Sequence, residues 1–381
     1  MANWDRRPIA ARHSCSQTLA PRVPAALTAV PMTHDILIVG AGIAGLSLAR
    51  ALTAFGRTPV VLERSRGVGG RCATRRVDGQ PVDHGTAFLH GRTPRFLAEM
   101  SVAGGVDDMA DWPQLREGTG VPCQPAAFDP HDPRRAPAAG VNALAKHLAR
   151  DLDVRLGARV DALALTPAPD APGARLWTVG LASGDRLLAR TVALAPPVPS
   201  VQALLTTINP PDPAVVRPLP LLNLVHAVPC LTVIARYPLD TPRPAWHASY
   251  PRDSAAVQTI LHDSSKRAGT PRLTLVIQAR PAFSQQHLDA PDDTWTRTPL
   301  AQAAALHGHW AGAPDLVQSH RWRYVRVVAG TALASPLVAH CEDGPTLGIA
   351  GDGLHPSVGV EGAYLSGSAL AERLTGPVPR A

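Results

Sequence analysis

Aromatic side chains are scarce: Phe, Trp and Tyr together make up only 4% of the 381 residues. Each one outside an obvious core stretch is therefore a candidate for a pocket wall. Cysteine is scarce too. The five, Cys15, Cys72, Cys123, Cys230 and Cys341, are odd in number and widely scattered, which argues against a disulfide-stapled secreted domain and fits a reducing cytoplasm. None has the spacing of a zinc site, so no metal is expected. Apolar runs such as LLNLVHAV at 221–228 break off well short of the roughly 18 residues a membrane-spanning helix needs. Glycine and proline are abundant but show no period of three, which excludes collagen.

Basic charge in excess is also weaker than it looks. The formal net charge is +7, yet Arg6, Arg7, Arg12 and Arg22 against Asp5 put three of those charges in residues 1–31 and leave +4 for the rest. No dense Lys/Arg tract with interleaved aromatics follows, and a nucleic-acid partner is not expected. What remains is a chain long enough for two cores, with 45% apolar residues to fill them.

Residues 1–31 lack sustained periodicity and read as a disordered extension. From Asp35 the pattern changes. DILIVG is a short buried strand, GAGIAGLSLARALTAFG turns into a helix that Gly56 stops, and TPVVLE at 58–63 is a second strand. This is a β-α-β unit with a right-handed crossover. Residues 111–140 read as an irregular surface excursion, and 141–150 as one amphipathic helix. Three strands follow, from DVRLGARVDALAL, LWTVGL and RLLARTVALA. The region from about 201 to 315 is β-rich with a helix near 298–309. TLGIAG at 346–351 is another buried strand, and Gly362–Leu374 a last helix.

The glycine spacing carries the first chemical signal. Gly40 permits a tight turn after the strand, Gly42 lets backbone approach a pyrophosphate, and Gly45 lets the helix pack on the strand. The N–H groups of Ile43 and Ala44 open the helix, whose N-terminus attracts phosphate. Glu63 ends the second strand, where an acid accepts hydrogen bonds from an adenosine ribose; Arg64 beside it joins the expected contact set. Strand, turn, helix, strand and acid occur in order, so the motif predicts a dinucleotide site, NAD or FAD.

ERSRGVGGRCATRR at 63–76 resembles the second glycine motif of the flavin amine oxidase superfamily. With GAGIAGLSLARAL before it, the chain resembles renalase and its bacterial relatives. Gly69, Gly70 and Arg71 match that motif. SHRWRYVRV at 319–327, LVIQARPAFSQQHLD at 275–289 and LGIAGDGLHPSVGVEGAYLSGSALAERL at 347–374 extend the resemblance across 34–374. It implies an α/β fold, with a Rossmann-type FAD-binding domain and a second β-rich α+β substrate domain, as in p-hydroxybenzoate hydroxylase and the amine oxidases. The expected FAD-binding parts are 32–95, 141–200 and 316–376; the expected substrate domain is 96–140 and 201–315. It also implies non-covalent FAD, with Gly351 and Asp352 at the ribityl and phosphate region and Gly359, Val360 and Glu361 bringing a helix start to the flavin pyrimidine ring.

The activity the resemblance implies is oxidation of 2- and 6-dihydro isomers of NAD(P)H to NAD(P)+, with hydride transfer to flavin N5 and reoxidation by O2 to H2O2. A good hydride donor needs no strong protein base, and no Ser/His/Asp or Cys/His arrangement is evident. His84, Phe88, Trp322, Tyr324, His355 and Tyr364 are the candidate walls of the reacting pocket, and Arg75 and Arg76 candidate phosphate ligands or salt-bridge partners. One segment departs from the bacterial relatives: VDHGTAFLHG at 82–91 keeps a glycine, Gly85, but puts Thr86, Ala87 and Phe88 where a Gln amide and Tyr hydroxyl orient a nicotinamide or flavin edge. Oxidation of another amine or hydrophobic donor, and a redox-inactive FAD-binding assembly protein, stay open as alternatives.

Overall fold

The computed structural model describes residues 32–104, 108–114, 131–342 and 344–376; the extension at 1–31 and most of the Pro/Asp/Gly-rich excursion lie outside them. The chain opens with β1 (Thr33–Val39), α1 (Ile43–Ala54) and β2 (Pro59–Glu63), and β1 pairs parallel with β2. A hairpin of β3 (Thr74–Val77) and β4 (Gln80–Asp83) follows. Its turn is Asp78-Gly79, both at positive φ, the backbone that matches the strand twist. Next come β5 (Leu89–His90), α2 (Pro94–Ala103), β6 (Met109–Ala110), β7 (Arg134–Ala136) and α3 (Asn142–Leu148), then β8 (Asp153–Leu156), β9 (Val160–Pro167), β10 (Arg175–Leu181) and β11 (Arg186–Leu194).

β5, β7 and β6 form a small sheet of their own, while the other strands outside the hairpin build one large sheet. Strands β8, β2, β1 and β11 lie side by side in parallel. The antiparallel β9–β10 hairpin attaches to the first half of β11, so the first of the three expected strands is in fact two, β8 and β9. Helices α4 (Val198–Leu205), α5 (Pro213–Val216) and α6 (Leu219–Leu222) come next. A second sheet is then laid down by β12 (Ala227–Arg236), β13 (Ala248–Ser249), β14 (Val257–His262) and β15 (Thr274–Ala279). Helices α7 (Pro281–Gln286), α8 (Asp292–Trp295) and α9 (Arg297–His307) precede β16 (Leu316–Val327). The chain then returns to the first sheet through β17 (Leu337–His340) and β18 (Thr346–Ile349), and ends in α10 (Gly359–Thr375).

Because β1 is covered on both faces, its apolar run is continuous rather than alternating. Ile36 and Ile38 pack with Leu46, Leu52, Phe96 and Leu370 of α1, α2 and α10. Leu37 and Val39 face the other way, onto Trp177, Val201 and Leu205. A β-carbon at Gly367 would collide with the Ala44 carbonyl, so α10 crosses α1 at close range, and Ser47 Oγ donates to the Tyr364 carbonyl at 2.6 Å. The second sheet runs β13-β14-β15-β12-β16, antiparallel throughout. One face of β12 (Leu231, Val233, Ala235) packs with Trp295 and Ala303 of the covering helices. The other brings Ile234, with Val276 and Leu261, against Val77, Val82, Phe88 and Trp112.

The element boundaries shift two expected domain limits. Residues 316–327 were expected with the FAD-binding part, but β16 pairs with β12 and forms an edge of the second sheet. Conversely, α2 and the α4–α6 segment pack into the two cores of the large sheet through Phe96, Met100, Val201, Val215 and Leu222. Apolar patterning marks that a segment is buried, not which sheet it is buried against. No helix among the described residues is long and apolar enough to cross a membrane.

Candidate functional site

Two glycine loops meet at the end of β1. Gly40, at φ +98°, donates its N–H to the Leu62 carbonyl at 2.7 Å and turns the chain into α1. Gly42 caps that helix without any side-chain hydrogen bond, and no acid occupies the first turn. A β-carbon on Gly42 meets nothing within 4 Å, whereas one on Gly45 would collide with the Gly40 carbonyl oxygen. The first glycine thus faces open space and the second is needed for packing. The other loop lies against this one: the Gly69 N–H donates to the Ala41 carbonyl at 2.8 Å, and Gly69 forms an isolated bridge with Gly42. Gly69 and Gly70 both have positive φ.

Glu63 folds over the first loop. Its Oε2 accepts from the Ala41 N–H and its Oε1 from the Ser65 N–H, both at 2.8 Å. A carboxylate offers about four acceptor directions, so two remain for a ribose. Arg64 next to it is exposed. Arg71 makes a bidentate pair with Asp352, at 2.7 and 2.8 Å. This joins the second glycine loop to the turn after β18. The Gly351 N–H there donates to Ser366 Oγ, while a β-carbon on Gly353 would come within 2.6 Å of Val225 Cγ1. Gly353 is therefore small for packing. At the start of α10, Val358 has φ +43° and Gly359 φ +60°. Positive φ at a β-branched residue is strained backbone, and it shapes an uncapped helix start. Glu361 Oε1 accepts from the Arg92 and Thr93 backbone N–H groups and from Thr93 Oγ1, at 2.7–2.9 Å, which ties the start of α10 to the start of α2.

This donor set fits a dinucleotide. Free helix amides and an open cradle at Gly42 suit a pyrophosphate, Glu63 a ribose, and Asp352 with Arg71 a polyol chain beside charged oxygens.

The six candidate walls divide. The Trp322 indole donates to the His84 carbonyl at 2.9 Å, and the two rings lie 5.5 Å apart. His320, two residues before Trp322 on β16, sits 4.8 Å from His84 and 4.2 Å from Trp322. Gly85 is wedged between: a β-carbon would collide with the Arg71 carbonyl and crowd Trp322, and its own carbonyl accepts from Gln278 Nε2 at 2.7 Å. Tyr324 lies in a bulge, where Arg323, Tyr324 and Val325 stand opposite the single Pro229. Arg71 Nη1 reaches the Val325 carbonyl at 3.4 Å. His355 Nδ1 accepts the Ser357 N–H and shapes the turn into α10.

Phe88 and Tyr364 go elsewhere. Phe88 is buried 5.8 Å from Trp112 in the layer between hairpin and second sheet. Tyr364 packs on Phe96 and donates to Glu99 Oε1 at 3.3 Å, against α2. Both are core aromatics. Arg75 contacts Gln318 and His320 rather than a phosphate position, and Arg76 donates to the Gly79 carbonyl. Cys72 is buried and its thiol is pushed up to about 11 by burial, as a packing residue.

Sequence reasoning missed His320, Gln278 and a buried charge cluster behind His84. In that cluster Lys266, fully buried, reaches Asp83 at 2.9 Å and Asp263 at 2.6 Å, and Arg267 reaches the same two carboxylates at 3.0 and 2.8 Å. Thr74 Oγ1 and the Val141 N–H complete the set around Asp83 Oδ1. Burial alone would raise the Asp83 pKa; the Lys266 and Arg267 charges outweigh it and hold the carboxyl below its usual range. The signal for His320 was present, two residues from Trp322 on one face of a strand.

His84 and His320 are both pushed down to about 4, by burial first, with His320 and Arg75 adding to the shift at His84 and Arg75 at His320. Burial does the same at His262. The unfolded chain takes up protons at these sites near 6.5 that the native state refuses until about 4. Stability is therefore expected to be full above about pH 6.5 and to be lost as the pH falls toward 4. Thermal unfolding at pH 7.5 and 4.5 checks this: the melting temperature should drop, and His262→Gln should shrink the drop. A melting temperature indifferent to pH over that window would contradict it.

A largely parallel sheet with a glycine cradle at the end of β1, tied to an antiparallel sheet where Arg71 reaches the Val325 carbonyl of β16, defines a two-part dinucleotide-binding oxidoreductase architecture. Residues 38–100 match the NAD(P)-binding Rossmann-like domain and residues 92–375 the flavin containing amine oxidoreductase family. The chain belongs to that family, and FAD is its cofactor. Among curated proteins it is 38% identical over 88 residues to putrescine oxidase of Kocuria rosea, 23% of this chain and 18% of that one. It is 39% identical over 71 residues to (S)-6-hydroxynicotine oxidase of Paenarthrobacter nicotinovorans, 18% of this chain and 17% of that one. The matched stretches thus span less than a fifth of these relatives. Among solved structures, putrescine oxidase with putrescine (16% identity, TM-score 0.63, 90% of this chain and 99% of that one) and cyclohexylamine oxidase of Brevibacterium oxydans (14%, 0.64, 91% and 100%) share the fold.

Proposed function

We propose that the protein is an FAD-dependent oxidase of the renalase-like kind, whose electron donor is a 2- or 6-dihydro isomer of NAD(P)H. The observation that supports this reading is the charge of the His84–Trp322 face. Its two bordering carboxylates, Asp83 and Asp352, are each already matched by cations. His84 and His320 are neutral at physiological pH, and Arg75, which contacts Gln318 and His320 and no carboxylate, adds positive charge. An alkylammonium finds no counter-charge there; an uncharged dihydropyridine bearing phosphates does not need one.

When bound, FAD supplies the acceptor for a hydride, and O2 restores it with release of H2O2. The donor loses a C–H bond with its electron pair and becomes an aromatic pyridinium, so no side chain has to take a proton from carbon. The chain's own work is to hold and exclude. Arg71, Asp352 and the Gly42 cradle fix the cofactor, while Trp322, wedged on Gly85, sets the surface the donor ring rests on. In this reading the large sheet with α1 and α10 holds FAD and the second sheet covers the donor.

A second reading, oxidation of an amine, is favoured by the family and by the relatives' names. Aerobic assays with both dihydro isomers, putrescine and cyclohexylamine separate the two. The expected result is O2 uptake matched by NAD(P)+ formation with the isomers and none with the amines. Uptake with an amine alone would replace the first reading by the second.

A further inference from the structure

Gly85 is held from two sides. On one side a β-carbon there would lie 2.2 Å from the Arg71 carbonyl oxygen, and the next amide, the Thr86 N–H, donates to that same oxygen at 3.0 Å. The backbone at 85–86 is thus laid directly on the second glycine loop, whose Gly69 bonds to Ala41 and bridges to Gly42. On the other side, two consecutive carbonyls are gripped by the second sheet. The Trp322 indole donates to the His84 carbonyl at 2.9 Å, and Gln278 Nε2 to the Gly85 carbonyl at 2.7 Å. The two donors come from β16 and β15, the strands that flank β12. Gln278 stands opposite Thr232 and Trp322 opposite Cys230, two residues apart on β12 and so on one face of the sheet.

Gln278 is the odd residue of its strand. β15 reads TLVIQA, and every other member is buried. Two positions earlier on the same face, Val276 packs in the apolar layer with Ile234 and Leu261. A leucine at 278 would extend that layer; what it could not do is donate to a carbonyl. We propose that Gln278 is a positioning residue for electron transfer into the flavin: by holding the Gly85 carbonyl it fixes the second glycine loop against the sheet that carries Trp322. This rests on the reading above, with FAD in the glycine cradle and the donor beneath the second sheet. The gap across which a hydride moves then depends on what joins the two. Reacting atoms need to stand about 3–3.5 Å apart, and a displacement of about 1 Å can cost about a hundredfold in rate. Gln278 acts through Gly85 alone.

The test compares Gln278→Leu and Gln278→Glu in the FAD-loaded protein. Leucine removes the donor; an ionised glutamate sets an acceptor against an acceptor, whereas a protonated one donates again. In Gln278→Leu the Thr86 amide should exchange its hydrogen about tenfold faster, and the flavin should be reduced about tenfold more slowly at saturating donor. FAD content should be kept and the melting temperature should stay within about 4 °C. Gln278→Glu should show the same loss at pH 8, relative to the unmodified protein at that pH, and recover toward pH 5.5, because burial against a carbonyl favours the protonated carboxyl. His84 and His320, pushed down to about 4, do not change charge in that window. A reduction rate in Gln278→Leu within about twofold of the unmodified protein, unchanged exchange at Thr86, or a Gln278→Glu loss equal at both pH values would each overturn the proposal. Should the leucine variant fail to fold, the nearly isosteric glutamate variant decides through its pH dependence. The electron donor is whichever of the dihydro isomers or amines reduces the unmodified holoprotein, so inert isomers defeat the donor reading and leave Gln278 to be judged separately. The exchange measurement needs no donor at all.

Discussion

Gly42→Val is expected to give a folded protein that purifies without FAD. The two parts of that expectation come from separate observations. Gly42 has extended backbone, φ −77° and ψ 178°, which valine adopts freely. Its β-carbon would also meet no protein atom within 4 Å, so the fold has no reason to suffer. The same side chain stands in the open space before α1, where uncapped amides await a pyrophosphate. Affinity for FAD should fall at least about a hundredfold, about 2.7 kcal/mol. Gly45→Ala is the informative contrast: its methyl would strike the Gly40 carbonyl, so the apoprotein itself should melt earlier. Flavin absorbance per chain, with melting of both apoproteins, checks the pair. Stoichiometric FAD in Gly42→Val would refute the placement of the cradle.

Lys266→Met should be the most damaging single change to stability. Asp83 and Lys266 are both 0% exposed, and the four charges of the cluster balance. Removing one cation leaves two buried carboxylates facing Arg267 alone, which costs about 3–5 kcal/mol for a buried pair broken from one side. A drop in Tm of about 6–10 °C is expected. Cofactor retention should weaken as well, because Asp83 is followed directly by His84 and Gly85. In the double variant Lys266→Met/Asp263→Asn, balance returns between Asp83 and Arg267, and the loss should be smaller than the two single losses added together. A Tm for Lys266→Met within about a degree of the unmodified protein would show that the cluster carries little.

What was legible in the sequence was local. The β1-α1-β2 unit, its three glycines and Glu63 are close in the chain, and each has one physical job that only that residue type does well. The last helix could be read for the same reason. What was not legible depended on pairing between distant segments. SHRWRYVRV alternates like any exposed strand, and nothing within it says that it joins LTVIAR rather than TLGIAG; register with β12 decides that. Lys266, one of only two lysines in the chain, stands in HDSSKRAG, a polar stretch that reads as a solvated turn until Asp83 is brought against it from the hairpin. Phe88 and Tyr364 show the opposite error. Scarcity made every aromatic a candidate for the pocket, but large rings are also the most rewarding core residues, and these two fill cores. Glu361 and Gly353 sit in one glycine-rich motif, but the side chain of the first attaches the Arg92–Thr93 loop and the smallness of the second serves packing against Val225.

The central claim, that this FAD-binding chain takes electrons from an isomeric dihydronicotinamide, is tested most directly by an anaerobic titration of the purified holoprotein. One equivalent of 2- or 6-dihydro-NAD(P) per flavin is expected to bleach the oxidised flavin band and yield one equivalent of NAD(P)+. A band that stays unchanged in the presence of both isomers, with FAD still bound, would contradict it.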